Sequence, residues 1–163
     1  MRHLGAVCCL IATIAGCTGS DRGVGTGAAT VAHVVDGDTI DVQIGEREER
    51  VRLIGIDTPE TKKPNSPIEC FGPEASAFTA SLLPIGTRVR IERDLVGRDD
   101  YGRLLGYVYL DGIDGTFVNM EIIRQGYATP LTIEPNSTYA REFAQAATDA
   151  EAAGLGLWTA CSP

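Results

Sequence analysis

Three short clusters of charged residues carry the chemistry available to this chain. The first is Asp36-Gly37-Asp38-Thr39. The second is Arg52 followed by Asp57-Thr58-Pro59-Glu60, and the third is Asp99-Asp100-Tyr101-Gly102-Arg103. Carboxylate oxygens are hard donors that suit a divalent cation, and guanidinium groups present paired N–H donors that match a phosphate. Each cluster alone has a plainer use. Asp-Gly is turn chemistry, a Pro-stiffened turn caps a strand, and the third cluster reads as another hairpin. Together they offer carboxylates and two arginines at loop ends, where a rigid scaffold presents functional groups. Glu60 lies just beyond Asp57, with Pro59 limiting the turn between them. It is therefore placed to act as general base on a water beside Asp57. A zinc site lacks its ligands: the chain has 2 His, and His33 stands alone on an expected strand as a surface residue.

The elements that must position these groups are short. Ala29 to Val35 and Thr39 to Ile44 read as strands joined by the Asp36-Gly37 turn signal. Arg50 to Ile56 alternates and then turns apolar on both faces, as a strand closing a barrel would. Pro73 suits a helix first turn, and Glu74 to Leu83 is helical in pattern, stopped by Pro84 and Gly86. Arg88 to Arg93 and Leu104 to Leu110 are further strands. Asn119 to Arg124 is a short helix ended by Gly126, and Ser137 to Ala153 a longer amphipathic one ended by Gly154. The expected class is α+β, mainly β: a five-stranded OB-type Greek-key barrel with about three helices.

Length and composition bound the rest. The 163 residues suit one domain; 44% are apolar and 22% charged, which is globular composition. The formal net charge of −8 excludes a polybasic nucleic-acid coat, though not a local basic site. Residues Leu4 to Gly16 are apolar or small and too short to span a bilayer. They fit a secretory leader, and Ile14-Ala15-Gly16-Cys17 resembles the lipobox of prokaryotic lipoproteins. The expected layout is a signal peptide over 1–16, a flexible tether over 17–27 from lipidated Cys17, and a folded domain over 28–163. The chain would then be exported and anchored by lipid to the cell membrane, facing away from the cytoplasm, or else secreted. Of the 5 cysteines, Cys8 and Cys9 leave with the leader and Cys17 takes lipid. Cys70 and Cys161 remain as a pair in an oxidising compartment, where a disulfide is expected.

The run Asp57-Thr58-Pro59-Glu60-Thr61-Lys62-Lys63-Pro64, followed by Phe71-Gly72-Pro73-Glu74-Ala75-Ser76-Ala77-Phe78-Thr79, resembles the staphylococcal nuclease (thermonuclease) family. So do Asp36 to Thr39, Arg52, Asp99 to Arg103, Arg124-Gln125-Gly126 and Pro135-Asn136, in order along nearly the whole folded chain. The resemblance implies a Ca²⁺-dependent endonuclease that hydrolyses DNA and RNA and leaves 3′-phosphates. It implies Asp38, Asp57 and the Thr58 carbonyl as metal ligands, and Asp36 behind them. Glu60 would activate water, Arg52 and Arg103 would hold the phosphate, and Tyr101 would contact a terminal phosphate. Lys62 and Lys63 form a small basic patch for substrate. A calcium ion takes about six to eight oxygens, so two Asp and one carbonyl leave room for water and a substrate phosphate.

This chain departs from the family pattern in places. Thr132-Ile133-Glu134 stands where aromatics usually precede Pro-Asn, which removes stacking worth about 1–3 kcal/mol per base. Asp100 stands where Lys is frequent, and the acidic whole weakens long-range attraction for DNA. A different class of reading is a module on the same barrel that binds nucleic acid or peptide without cutting. The presence of Asp38, Arg52, Asp57, Glu60 and Arg103 together speaks against it. No protein partner is evident, and a monomer is the default.

Overall fold

The computed structural model describes residues 27–62, 67–112 and 115–161. The leader, Cys17 and Lys63 lie outside the described residues. Seven strands and four helices follow in order: β1 (Gly27–Asp36), β2 (Thr39–Ile44), β3 (Arg47–Leu53), β4 (Gly55–Asp57), α1 (Gly72–Leu82), β5 (Arg88–Glu92), β6 (Leu104–Leu110), α2 (Val118–Arg124), β7 (Thr129–Leu131), α3 (Ala140–Ala152) and α4 (Leu157–Ala160). Five strands close into a barrel in the order β1-β2-β3-β6-β5, with β5 returning to β1. Every barrel pairing is antiparallel except β3 with β6, so the barrel is mixed; the five-stranded, mainly β architecture is the one the sequence predicts.

Alternation explains the closure. Ile40 and Val42 of β2, Val51 and Leu53 of β3, Val89 and Ile91 of β5 and Val108 of β6 all point into one apolar core. α2 and α3 cap it, with Ile122, Ile123 and Phe143 fully buried. Gly106 is required where β6 crosses β5, because a Cβ there would stand 2.6 Å from the Ile91 side chain.

The expected single strand over Arg50 to Ile56 is corrected by the structure. It breaks after Leu53, and the short β4 leaves the barrel to pair with β7, Asp57 opposite Thr129. Gly55 makes the break. Its φ is +84°, and a Cβ on it would meet the Phe143 ring at 2.2 Å. The bend is held from two sides. Asn119 of α2, fully buried, donates through Nδ2 to the Ile54 and Gly106 carbonyls at 2.9 and 3.3 Å and accepts the Val108 N–H at 2.9 Å. Arg52 donates through Nη1 to the Leu53 and Ile56 carbonyls at 2.6 and 2.8 Å. The helix expected over Ser137 to Ala153 starts three residues later, at Ala140, and β7 and α4 are additions that local pattern did not announce.

Candidate active site

The turn between β1 and β2 meets the end of β4 on one side of the barrel. Gly37 lets them touch, since a Cβ there would lie 2.6 Å from Thr58 Oγ1. Thr79 of α1 pins the same turn by donating to the Gly37 carbonyl at 2.6 Å. Asp38 is buried, its Oδ2 accepting from the Thr58 N–H at 3.0 Å and the Thr58 hydroxyl at 3.2 Å. Its Oδ1 accepts from the Thr39 hydroxyl at 3.0 Å.

Arg52 joins the two carboxylates expected to hold a metal, Asp38 and Asp57. Its Nη2 stands 3.2 Å from Asp38 Oδ2 and 2.8 Å from Asp57 Oδ1. The guanidinium is buried, while the Asp57 side chain is 53% exposed and faces outward. A buried cation with four protein contacts is fixed before any ligand arrives, which is what preorganised electrostatic stabilisation needs.

Glu60 and Asp36 form the second half of the cluster. Asp36 accepts from the Gly37 N–H at 2.8 Å and from the Thr61 hydroxyl at 3.0 Å. Burial pushes the Glu60 carboxyl above its ordinary range, and the Asp36, Asp38 and Glu69 carboxylates push it further. Burial likewise raises Asp57; there Asp38 and Glu69 work against the Arg52 cation. Carboxylates thus outnumber the one guanidinium among them, and an added cation would lower both carboxyls again.

The donors fit calcium. All are oxygens, and the two cysteines beside Asp57 and Thr58 are tied to each other as Cys70–Cys161. Among the described residues no group of three or more His, Cys, Asp or Glu side chains is arranged to hold a metal unaided. A site built on Asp38, Asp57 and the Thr58 carbonyl would draw most of its remaining ligands from water and substrate.

Arg103 and Tyr101 belong to an adjoining surface. Asp99 organises their loop, accepting from the Tyr101 N–H at 3.0 Å, the Arg103 N–H at 2.9 Å and Arg103 Nε at 2.6 Å. The Arg103 guanidinium carbon stands 5.5 Å from the centroid of the exposed Tyr101 ring. Parallel pairing sets Arg52 opposite Leu105, which puts Arg103 two residues back along the neighbouring strand, roughly 7 Å. No hydrogen bond or ion pair among the described residues links it to Asp38 or Asp57. Arg103 shares its surface hollow with Arg50, itself paired to Asp41 through two hydrogen bonds of 2.7 and 3.0 Å. Lys62 is exposed at the edge of the Glu60 loop, and His33 is exposed on β1.

Sequence reasoning passed over several residues that shape the site. Thr61 and Thr79 steady Asp36 and Gly37, Asn119 sets the β3–β4 bend, and Glu69 accepts the Glu60 N–H at 3.0 Å. A signal for Glu69 was present: it adjoins Cys70, the expected closure of that loop. Cys70 and Cys161 are bonded in the structure, 91 residues apart in the chain.

A closed barrel with a carboxylate cluster around a buried arginine defines a class, and comparison with known proteins makes it that of nuclease-type hydrolases. A family model described as "Staphylococcal nuclease homologue" matches residues 50–160. A thermonuclease of Staphylococcus intermedius is 43% identical over 128 residues, covering 78% of this chain and 74% of that protein. A thermonuclease of Staphylococcus hyicus is 38% identical over 129 residues, with 79% and 74% covered. Endonuclease YncB of Bacillus subtilis (strain 168) is 37% identical over 132 residues, with 80% and 61% covered. The chain belongs to the staphylococcal nuclease family.

Proposed function

We propose that this protein is an exported, Ca²⁺-dependent endonuclease that cuts DNA and RNA phosphodiesters and leaves 3′-phosphates. The single observation that carries the reading is Arg52 Nη2 shared between Asp38 and Asp57, with Glu60 beside them on the same carboxylate cluster. Asp38, Asp57 and the Thr58 carbonyl would hold the cation. A bound calcium supplies Lewis-acid stabilisation to the phosphoryl oxygens and relieves the crowding of carboxylates.

The chain's own residues do the rest. Glu60, in its carboxylate form, takes a proton from the attacking water at one of its Oε atoms. Arg52, its terminal nitrogens engaged by Asp38, Asp57 and the Leu53 and Ile56 carbonyls, lends the site a fixed positive charge as negative charge gathers on the phosphoryl oxygens. Arg103 spends Nε on Asp99 and offers its two terminal nitrogens to a phosphate as a pair. Exposed Tyr101 gives a hydroxyl and a ring face beside it. Lys62 and Lys63 add local positive charge to an otherwise acidic surface.

Export and lipid anchoring through Cys17 belong to the same proposal, on the strength of the apolar stretch Leu4 to Gly16 and the Ile14 to Cys17 motif. The activity test is single-stranded DNA digested with calcium and with a chelator, alongside Glu60→Gln. The reading expects calcium-dependent cutting, and a variant that binds calcium but turns over slowly. Normal turnover by Glu60→Gln would remove Glu60 as base. For the anchor, Cys17→Ala should move the protein from the membrane to the soluble fraction, and persistent membrane association would refute it.

A further inference from the structure

Glu69 crowds the Glu60 and Asp57 carboxyls but has no role of its own in the chemistry above, yet the site closes on it. The chain leaves the site at Glu60 and returns at Glu69, where two hydrogen bonds join the ends. The Glu60 N–H donates to Glu69 Oε2 at 3.0 Å, and the Glu69 N–H donates to the Glu60 carbonyl at 2.9 Å. Cys70 follows at once, bonded to Cys161. Phe71 comes next at φ +67°, the one non-glycine residue with positive φ among the described residues. Its ring stacks on Tyr127 with centroids 5.2 Å apart. Gly72 then packs against the same loop: a Cβ there would stand 3.0 Å from the Pro59 carbonyl oxygen and 3.1 Å from that of Glu60.

Four consecutive residues are thus held by four different means, and the first and last of them, Glu69 and Gly72, meet the backbone of Pro59 and Glu60 directly. A bulky residue kept in the left-handed region persists only where its surroundings over-determine it, and such strain collects at functional sites. The far end of the disulfide is also fixed. Cys161 closes α4, whose Leu157 N–H donates to the Gly126 carbonyl at 2.9 Å, and Gly156 lies so near Gly126 that a Cβ on it would stand 2.2 Å from that oxygen. Gly126 ends the turn after α2, the helix that carries buried Asn119. An unbroken series of contacts therefore runs from the barrel core through α4 and the disulfide to Glu60.

We propose that Glu69, clamped by the Cys70–Cys161 bond, is a positioning residue that holds Glu60 in place for proton transfer. The inference rests on the reading of Glu60 as the base. The base must hold its place to within a fraction of an ångström, and a displacement of about 1 Å costs on the order of 10²-fold in rate. Glu69 fixes the backbone from which the Glu60 side chain springs. No hydrogen bond or ion pair among the described residues joins it to Asp38, Asp57 or Arg52, and saturating calcium offsets its through-space push on Asp57, so its loss should act on turnover rather than on substrate binding.

The test uses the full chain at saturating calcium with single-stranded DNA. It compares wild type, Glu60→Gln, Glu69→Ala, Glu69→Gln, the double variant Cys70→Ala/Cys161→Ala and that double variant with Glu69→Ala added. Glu69→Ala is expected to lower kcat about 10-fold or more with KM within about 2-fold. Glu69→Gln, whose amide oxygen still accepts from the Glu60 N–H, should recover most of that loss. The cysteine pair should lower kcat in the same direction, and adding Glu69→Ala to it should cost little more, because both act through one contact. Hydrogen exchange at the Glu60 amide should be faster in Glu69→Ala than in wild type, whether or not calcium is present. Wild-type kcat for Glu69→Ala beside an inactive Glu60→Gln would overturn this inference and leave the base intact. Equal losses for the Ala and Gln variants, or a rise in KM that matches the fall in kcat, would also overturn it. An active Glu60→Gln would instead remove the reading beneath it.

Discussion

Arg52 Nη2 stands 3.2 Å from Asp38 Oδ2 and 2.8 Å from Asp57 Oδ1, so one nitrogen links the turn after β1 to the end of β4. The other terminal nitrogen of the same group holds the Leu53 and Ile56 carbonyls across the bend. Fold and candidate chemistry therefore share a single buried cation. Arg52→Ala should cost about 3–5 kcal/mol of stability, because it leaves Asp38 buried without its counter-charge. It should also lower the cutting rate by about 10²–10³. Lysine, a point charge without the fork, should restore part of the stability and little of the rate. Denaturant unfolding and initial rates on one preparation check both halves.

The bend that delivers Asp57 is set from a distance. Gly55→Ala would drive a Cβ into the Phe143 ring and strain a φ of +84°. A loss of about 2–4 kcal/mol is expected. Asn119→Leu would leave the Val108 N–H and the Ile54 carbonyl unpaired in the core, at about 1–3 kcal/mol for each. Thermal melts of the two variants measure these losses, and either should also weaken calcium binding, since Asp57 rides on the same bend.

The raised Asp57 and Glu60 carboxyls have a definite pH signature. A folded pKa above the unfolded value means that the native state binds more protons, so this contribution is present below the unfolded carboxylate range and is lost as pH rises through the folded values. In chelator, wild type should therefore lose stability relative to Asp57→Asn and Glu60→Gln as pH climbs from about 4 towards neutrality. Calcium should reverse the loss. Melting temperatures across that range, with and without calcium, report it. Activity should rise over the same interval as Glu60 becomes a carboxylate.

The disulfide closes a loop of 91 residues. Loop closure of that length contributes about 3–5 kcal/mol in the chain-entropy model. Dithiothreitol should lower the melting temperature of wild type and leave the Cys70→Ala/Cys161→Ala variant unaffected. An unchanged wild-type melt would count against the bond.

Much of this was legible because it is local. The Asp36-Gly37 turn, the strand over Thr39 to Ile44 and the helical run over Glu74 to Leu83 are short-range patterns; the structure keeps the first two and sets the helix over Gly72–Leu82. Asp38, Arg52, Asp57 and Thr58 sit at element ends, and those ends meet. What was not legible depends on distant partners. The run Arg50 to Ile56 looks like one strand because Leu53, Ile54 and Ile56 are all apolar, and the partners that make it two, Phe143 beneath Gly55 and Asn119 beside Ile54, lie far along the chain. Pro130 argues against a strand, so β7 gave no signal until β4 came to pair with it. The place of Arg103 follows from the parallel register of β3 and β6, which local pattern does not encode. Glu69 reads as an ordinary surface acid beside an expected disulfide until its hydrogen bond from the Glu60 N–H is in view.

The most direct measurement of the central claim is a calcium titration of single-stranded DNA cleavage by the purified chain, with analysis of the ends produced. The account predicts cutting that rises with calcium, stops in chelator and leaves 3′-phosphates. Cleavage indifferent to chelator, or none at saturating calcium, would contradict it.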